Sequence, residues 1–184
     1  MMCKYQTMTE KKANFFTGKD LCKVREVLSP EQAMKRALQL AWDAGEAGEV
    51  PVGAVILDAE GRLCAAQANQ VESDSDPSAH AELRAMRAAA RHCGTKYLTG
   101  CTLYVTLEPC PMCAASMVHF KLGRLAFGAY DPKGGGVEHG PRIFEQKNCL
   151  HRPEVIGGIR AEESATLLTE FFSRLRTKKG AEKP

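Results

Sequence analysis

The chain has 184 residues, 44% of them hydrophobic and 26% charged, with a formal net charge of +3. That length makes one domain whose core holds without disulfide staples, and the balance excludes collagenous, low-complexity and strongly charged disordered chains. No stretch has the ~20 apolar residues of a membrane span, and the N-terminus MMCKYQTMTEKKANFF lacks the apolar run of a signal peptide.

A cytoplasmic location is therefore expected, and in a reducing compartment the eight cysteines point to metal or redox chemistry. The charge is uneven: residues 1–28 carry six Lys/Arg against three Asp/Glu, residues 170–184 carry five against two, and the middle is slightly acidic. Basic ends of this kind serve nucleic-acid contact or act as solubilising tails.

In chain order, residues 1–28 show neither helical nor strand periodicity and are expected to form a flexible extension. The domain then runs over 29–179, with a short tail at 180–184. Ser29, Pro30 and Gln32 form a cap, a first helical position and a capping box. Ala33, Met34, Ala37, Leu38 and Ala41 follow on one helical face. A strand at 51–57, a turn from Asp58 to Gly61 and a return strand to Asn69 predict a hairpin. VESDSDPSA is expected to be a polar loop, and HAELRAMRAAARHC a helix stopped by Gly94.

CTLYVTLE predicts a buried strand, CPMCAASMVHFKLG a second helix and RLAFGAY another strand. DPKGGGVEHGPRIF is a glycine-rich loop, PEVIGGI a last strand and AEESATLLTEFFSRLRTK an amphipathic final helix. The order implies an α/β fold, a three-layer α/β/α sandwich on a mixed sheet of about five strands. It contains no G-x-G-x-x-G, so no dinucleotide cofactor is expected, and the GGG at 134–136 follows no strand–helix turn.

The chemistry is carried by two short segments. Cys110 and Cys113 lie i, i+3 in the first turn of a helix, where unpaired N–H groups and the helix dipole favour thiolates. By themselves they fit a redox dithiol as well as two metal ligands. His80 opens the other helix after Pro77, and if the two helix starts converge, His80, Cys110 and Cys113 make a three-ligand zinc site with one position open. Glu82 would stand beside it as a proton carrier without needing to bind the ion. Alone, His80 reads as a capping or surface histidine and Glu82 as a first-turn acid. H-A-E after one loop and P-C-x-x-C after the next strand together point to zinc.

With EVPVGAV, Asn69, DPSAHAE, LYVTLEPCPMCAASM, GRLAFGAYDPK and LLTEFF, the chain resembles the bacterial tRNA-specific adenosine deaminases, of the zinc-dependent cytidine/deoxycytidylate deaminase superfamily. The resemblance runs from about Val50 to Lys179. It implies a cytidine-deaminase-like fold and one Zn2+ per subunit on His80, Cys110 and Cys113, with Glu82 as proton shuttle. It also implies that Asn69 contacts the target base, Val52 lies in the pocket wall, Asp131 lies near the substrate nucleotide, and Arg174 and Arg176 face the tRNA.

The implied reaction is hydrolytic deamination of adenosine to inosine at the wobble position of a tRNA anticodon, by zinc-activated water. The implied partners are a tRNA anticodon stem-loop and a second copy of the chain in a homodimer. The alternative is a small-molecule zinc deaminase acting on guanine or on a cytosine nucleoside or nucleotide. It would share the metal and the glutamate but has no need of a basic final helix. A zinc-bearing RNA-binding protein without activity would not require Glu82. The loop 134–150 departs from the family pattern, and its Cys149 and His151 are not expected to form a second metal site.

Overall fold

The computed structural model of the protein describes residues 26–181, with side chains through Thr177. The expected flexible extension falls largely on residues 1–25, and the end of the tail on 182–184, outside the described residues. Glu26 to Leu28 pack on the domain: Leu28 N–H donates to Gly61 O and Leu63 N–H to Glu26 O, both at 2.9 Å.

Helix α1 (Pro30–Glu46) starts as its sequence dictates. Ser29 Oγ accepts from Gln32 N–H at 3.2 Å, and Gln32 Oε1 accepts from Ser29 N–H at 2.8 Å. The reciprocal pair satisfies two donors that a helix start otherwise leaves open. The central sheet has the order β2-β1-β3-β4-β5, built from β1 (Gly53–Leu57), β2 (Leu63–Ala68), β3 (Thr102–Leu107), β4 (Arg124–Ala129) and β5 (Glu154–Ile156). β1 is antiparallel to both its neighbours, β2 and β3, whereas β3, β4 and β5 run parallel. The expected three-layer fold on a mixed five-stranded sheet is what forms.

Strand alternation divides the core in two. Ala54, Ile56, Leu103, Val105, Leu125 and Phe127 pack against α3 (Ala81–Cys93) and α4 (Pro111–Phe120) through residues such as Leu83, Met86 and Met117. Val55, Leu57, Tyr104 and Ala126 face the other way, onto Met34, Ala37 and Leu38 of α1. Helix α5 (Ala161–Ala181) lies with α1 on that second face, against β4. Gly53 sets the approach of α1 to the sheet: a Cβ there would lie 2.0 Å from the Ala37 carbonyl oxygen.

The stretch expected to be a polar loop contains a one-turn helix, α2 (Val71–Asp74), ended by Ser75 at a φ of +50°. Its cause lies outside the segment. The Glu49 carboxylate accepts from Glu72 N–H at 3.2 Å and Ser73 N–H at 2.8 Å, supplying acceptors that so short a helix cannot provide for its own first turn.

α3 runs from the end of the sheet where β3 finishes toward the end where β3 begins, and β3 runs back. Each therefore has one terminus at either end of the domain. Among the described residues, no helix is long and apolar enough to cross a membrane.

Candidate active site

His80 is the N-cap residue of α3, and Cys110 is the N-cap residue of α4, followed by Pro111 in the first helical position. Both residues have extended backbone, with ψ of 145° and 167°, so each side chain is set just ahead of its helix. Cys113 sits one turn into α4 and is fully buried. His80 Nδ1 lies 3.6 Å from Cys110 Sγ and 3.6 Å from Cys113 Sγ.

These distances test the fit to zinc directly. One nitrogen and one sulfur at tetrahedral positions on Zn2+, at ordinary bond lengths, stand ~3.6 Å apart. All three ligand atoms lie within 4.8 Å of one another. The donor set, one imidazole and two thiols, is the borderline-soft chemistry that zinc prefers.

The three groups are electrostatically coupled through their hydrogen bonds. A hydrogen bond from Cys113 pulls the Cys110 thiol down to about 4, against burial and with help from His80. Cys113 is pushed up by the same contact and by burial. The His80 imidazole is raised by its hydrogen bond with Cys110.

Glu82, in the first turn of α3, is only 4% exposed. Burial pushes its carboxyl above the usual carboxylate range, so it takes and holds a proton more readily than a free glutamate. It opens on a cavity of about 270 Å³ whose lining includes Val52, Asn69, His80, Cys110 and Asp131. Six residues singled out in the sequence thus meet at this one cavity, with Cys113 directly behind it.

Asp131 Oδ1 accepts from Lys133 N–H and Gly134 N–H, at 3.1 and 2.9 Å, so part of that carboxylate shapes its own turn. Arg174 and Arg176 stand elsewhere. Arg174 donates to Glu46 Oε1 at 2.8 Å, joining α5 to the end of α1, and Arg176 is exposed. In the divergent loop, Cys149 Sγ donates to His151 O at 3.0 Å, and His151 Nε2 contacts Leu122 O at 2.7 Å.

Sequence reasoning missed two buried carboxylates that build the walls. Glu49 accepts from Asn69 Nδ2 at 3.1 Å as well as from α2. Burial opposes its ionisation, but the N–H groups of Ser73 and Glu72, with the Ser73 hydroxyl and Asn69, leave its carboxyl below the usual range.

Glu108, in the LEPC segment, carries the loop after β4. Its Oε1 accepts from the N–H groups of Val137, Glu138 and His139, at 3.2, 2.9 and 2.9 Å. Oε2 takes Asp131 N–H at 3.0 Å and faces His139 Nδ1 at 2.7 Å. Burial works against that charge too, yet the converging donors hold the carboxyl below its ordinary value. The loop glycines owe their place to this wrapping: a Cβ on Gly135 would lie 2.5 Å from Glu108 Oε1. The only sequence sign of either role was a carboxylate set in an otherwise apolar, strand-flanking segment.

Fold and cluster together define a zinc-dependent deaminase. Residues 28–129 match the family described as the cytidine and deoxycytidylate deaminase zinc-binding region, and the chain belongs to that family. Within it, the chain is 46% identical over 143 residues to the tRNA-specific adenosine deaminase of Agrobacterium fabrum, covering 78% of this chain and 93% of that one. A solved structure from a study of A-to-I editing by tRNA:A34 deaminases at the wobble position of transfer RNA is 46% identical, with a TM-score of 0.72. It covers 74% of this chain and 98% of its own. A guanine deaminase from Nitrosomonas europaea has a TM-score of 0.70 at 22% identity, covering 84% of this chain and 91% of its own, which shows a shared fold.

Proposed function

We infer that the chain is a zinc-dependent hydrolase that converts adenosine to inosine at the wobble position of a tRNA anticodon. The observation that carries this is the cluster of His80, Cys110 and Cys113 beside a cavity that buried Glu82 also lines, in a chain 46% identical to a tRNA-specific adenosine deaminase.

His80 Nδ1 and the sulfurs of Cys110 and Cys113 would hold the zinc. When bound there, zinc supplies the Lewis acidity that brings the ionisation of water toward neutral pH. The Glu82 carboxylate takes one proton from the attacking water and passes it to N1 of adenine; it then takes the second proton, from the hydroxyl now on C6, and delivers it to the amine, which departs as ammonia while the C6 carbonyl forms. Its burial keeps bulk water from short-circuiting these transfers.

Val52 packs against the base. Asn69, held by Glu49, presents its carbonyl oxygen, and Asp131 borders the nucleotide. The substrate is offered by an anticodon stem-loop, whose unpaired bases turn outward at less cost than those of a duplex. The exposed arginine at 176 and the paired Arg174 border the RNA path and add a salt-dependent attraction. The family resemblance supports a homodimer working in the cytoplasm.

The decisive experiment incubates the zinc-loaded protein with a tRNA transcript bearing adenosine at the wobble position, and in parallel with free adenosine, cytidine and guanine. Inosine in the tRNA alone is the expected result. Turnover of guanine or of a cytosine nucleoside, with the tRNA untouched, would overturn the RNA substrate and leave the alternative small-molecule deaminase.

A further inference from the structure

A second convergence of thiols lies at the opposite end of α3 and β3. Cys93 is the last residue of α3, Cys101 directly precedes β3, and Cys64 is the second residue of β2. Their sulfur atoms all lie within 4.8 Å of one another. Cys64 and Cys101 are buried, at 2% and 7% exposure, whereas Cys93 is exposed.

We propose that Cys64, Cys93 and Cys101 form a second metal site, separate from the catalytic one, that binds one thiophilic d10 cation, Zn2+ or Cu+. Three sulfurs sharing such an ion at ordinary bond lengths stand ~3.8–4.0 Å apart, so sulfurs that all lie within 4.8 Å of one another need at most a small closure. An all-sulfur donor set selects soft ions and rejects Mg2+ and Ca2+, which require oxygen. Cys93 gives the ion a route in from solvent, and the two buried thiols give it a dry, preformed floor.

The position suits a brace. α3 has 13 residues, so the two clusters are separated by roughly 20 Å along its axis. His80 and Glu82 stand at one end of this helix and Cys93 at the other. An ion on the three cysteines ties the far end of α3 to the starts of β2 and β3, and so fixes the helix that carries the catalytic pair. Neither the sequence pattern of the catalytic zinc nor the deamination chemistry calls on these cysteines.

The test is metal stoichiometry on the full chain, loaded anaerobically under reducing conditions and freed of excess ion. One arm supplies Zn2+, and the other supplies Cu+ to protein already holding one zinc. Wild type should retain two equivalents of metal in at least one arm, and that arm identifies the ion. Cys93→Ser, at an exposed position that leaves the core filled, should drop to one equivalent. Cys110→Ser should lose the catalytic equivalent and keep the other.

A folded wild-type chain that stops at one equivalent in both arms overturns the proposal, as does a second equivalent retained by Cys93→Ser. If Cys93→Ser does not fold, alkylation of Cys93 in wild type gives the answer. Added metal should slow it, and an unchanged rate with both ions overturns the site.

Discussion

Asn69 Nδ2 donates to Glu49 Oε2 at 3.1 Å, between two buried side chains. Because an ionised carboxylate only accepts, the contact fixes which way the Asn69 amide points: its NH2 end toward Glu49, its carbonyl oxygen away. Glu49→Gln removes this selection and permits the flipped amide. The expected outcome is a fall of about 10–100-fold in kcat/KM on tRNA, the range of a lost charge-assisted hydrogen bond, with zinc content unchanged. An unaltered kcat/KM would remove Glu49 from any positioning role.

Glu82→Gln keeps the shape of the buried side chain and removes its capacity to carry a proton. Turnover should drop by at least about 10²–10⁴-fold, while zinc content and melting temperature remain close to wild type. Inosine formation and metal analysis on the same preparation check this. Activity near wild type would place the proton transfer on another group.

Cys110→Ser replaces one of the two thiols proposed to hold zinc at the start of α4. It should lose zinc at the catalytic cluster and stability together, because metal affinity and folding are linked when a site exists only in the folded chain. Chelation of wild type should lower its melting temperature in the same direction, and readdition of Zn2+ should restore it. A variant with unchanged zinc content and melting temperature would falsify the ligand assignment.

Glu108 makes folding sensitive to acid. Its folded-state carboxyl lies below the ordinary value of 4.5. The stabilisation is therefore fully present above 4.5 and is lost as pH falls through the lower, folded value. Glu108→Gln turns an NH2 group toward several N–H donors and should destabilise by about 2–3 kcal/mol at neutral pH. The gap in melting temperature between wild type and variant should shrink as pH drops below 4.5. A gap that is the same at neutral and acid pH would show that the charge of Glu108 contributes nothing.

If the proposed RNA path runs past the end of α5, Arg176→Ala should weaken tRNA binding more at low salt than at high, reducing the log–log salt slope by about 1. Arg174→Ala should do less, since its guanidinium is already paired with Glu46. Binding titrations at three salt concentrations separate the two. Equal losses at every salt concentration for Arg176→Ala would argue against an electrostatic contact.

Most of the architecture was legible because it is written locally. The Ser29–Gln32 capping box, the Gly94 stop, the continuous apolar and β-branched run of β3 and the Pro-Cys start of α4 each depend on neighbours a few residues away. The catalytic cluster was legible for a related reason. The three residues proposed as ligands occupy helix starts, and a helix start is one of the places that a sequence marks most clearly. What escaped depends on distant partners. Glu49 acts on Asn69 and Ser73, 20 and 24 residues away, and that contact turns an expected loop into α2. Glu108 organises a loop 23 to 31 residues further on, which accounts for glycines that had no evident purpose. The pairing of Arg174 with Glu46 spans 128 residues; the basic run of α5 gave no hint that one of its charges is engaged.

Both edges of the sheet are blunted. At one, β5 offers three residues between Pro153 and the pair Gly157–Gly158. At the other, Glu26 and Leu28 already occupy backbone groups of Gly61 and Leu63 at the start of β2. An uncovered strand edge is a template on which further chains add. A chain cut to begin at Ser29 would keep His80, Glu82, Cys110 and Cys113 yet leave the Gly61 and Leu63 backbone groups at the start of β2 without these partners, open to pairing with another chain.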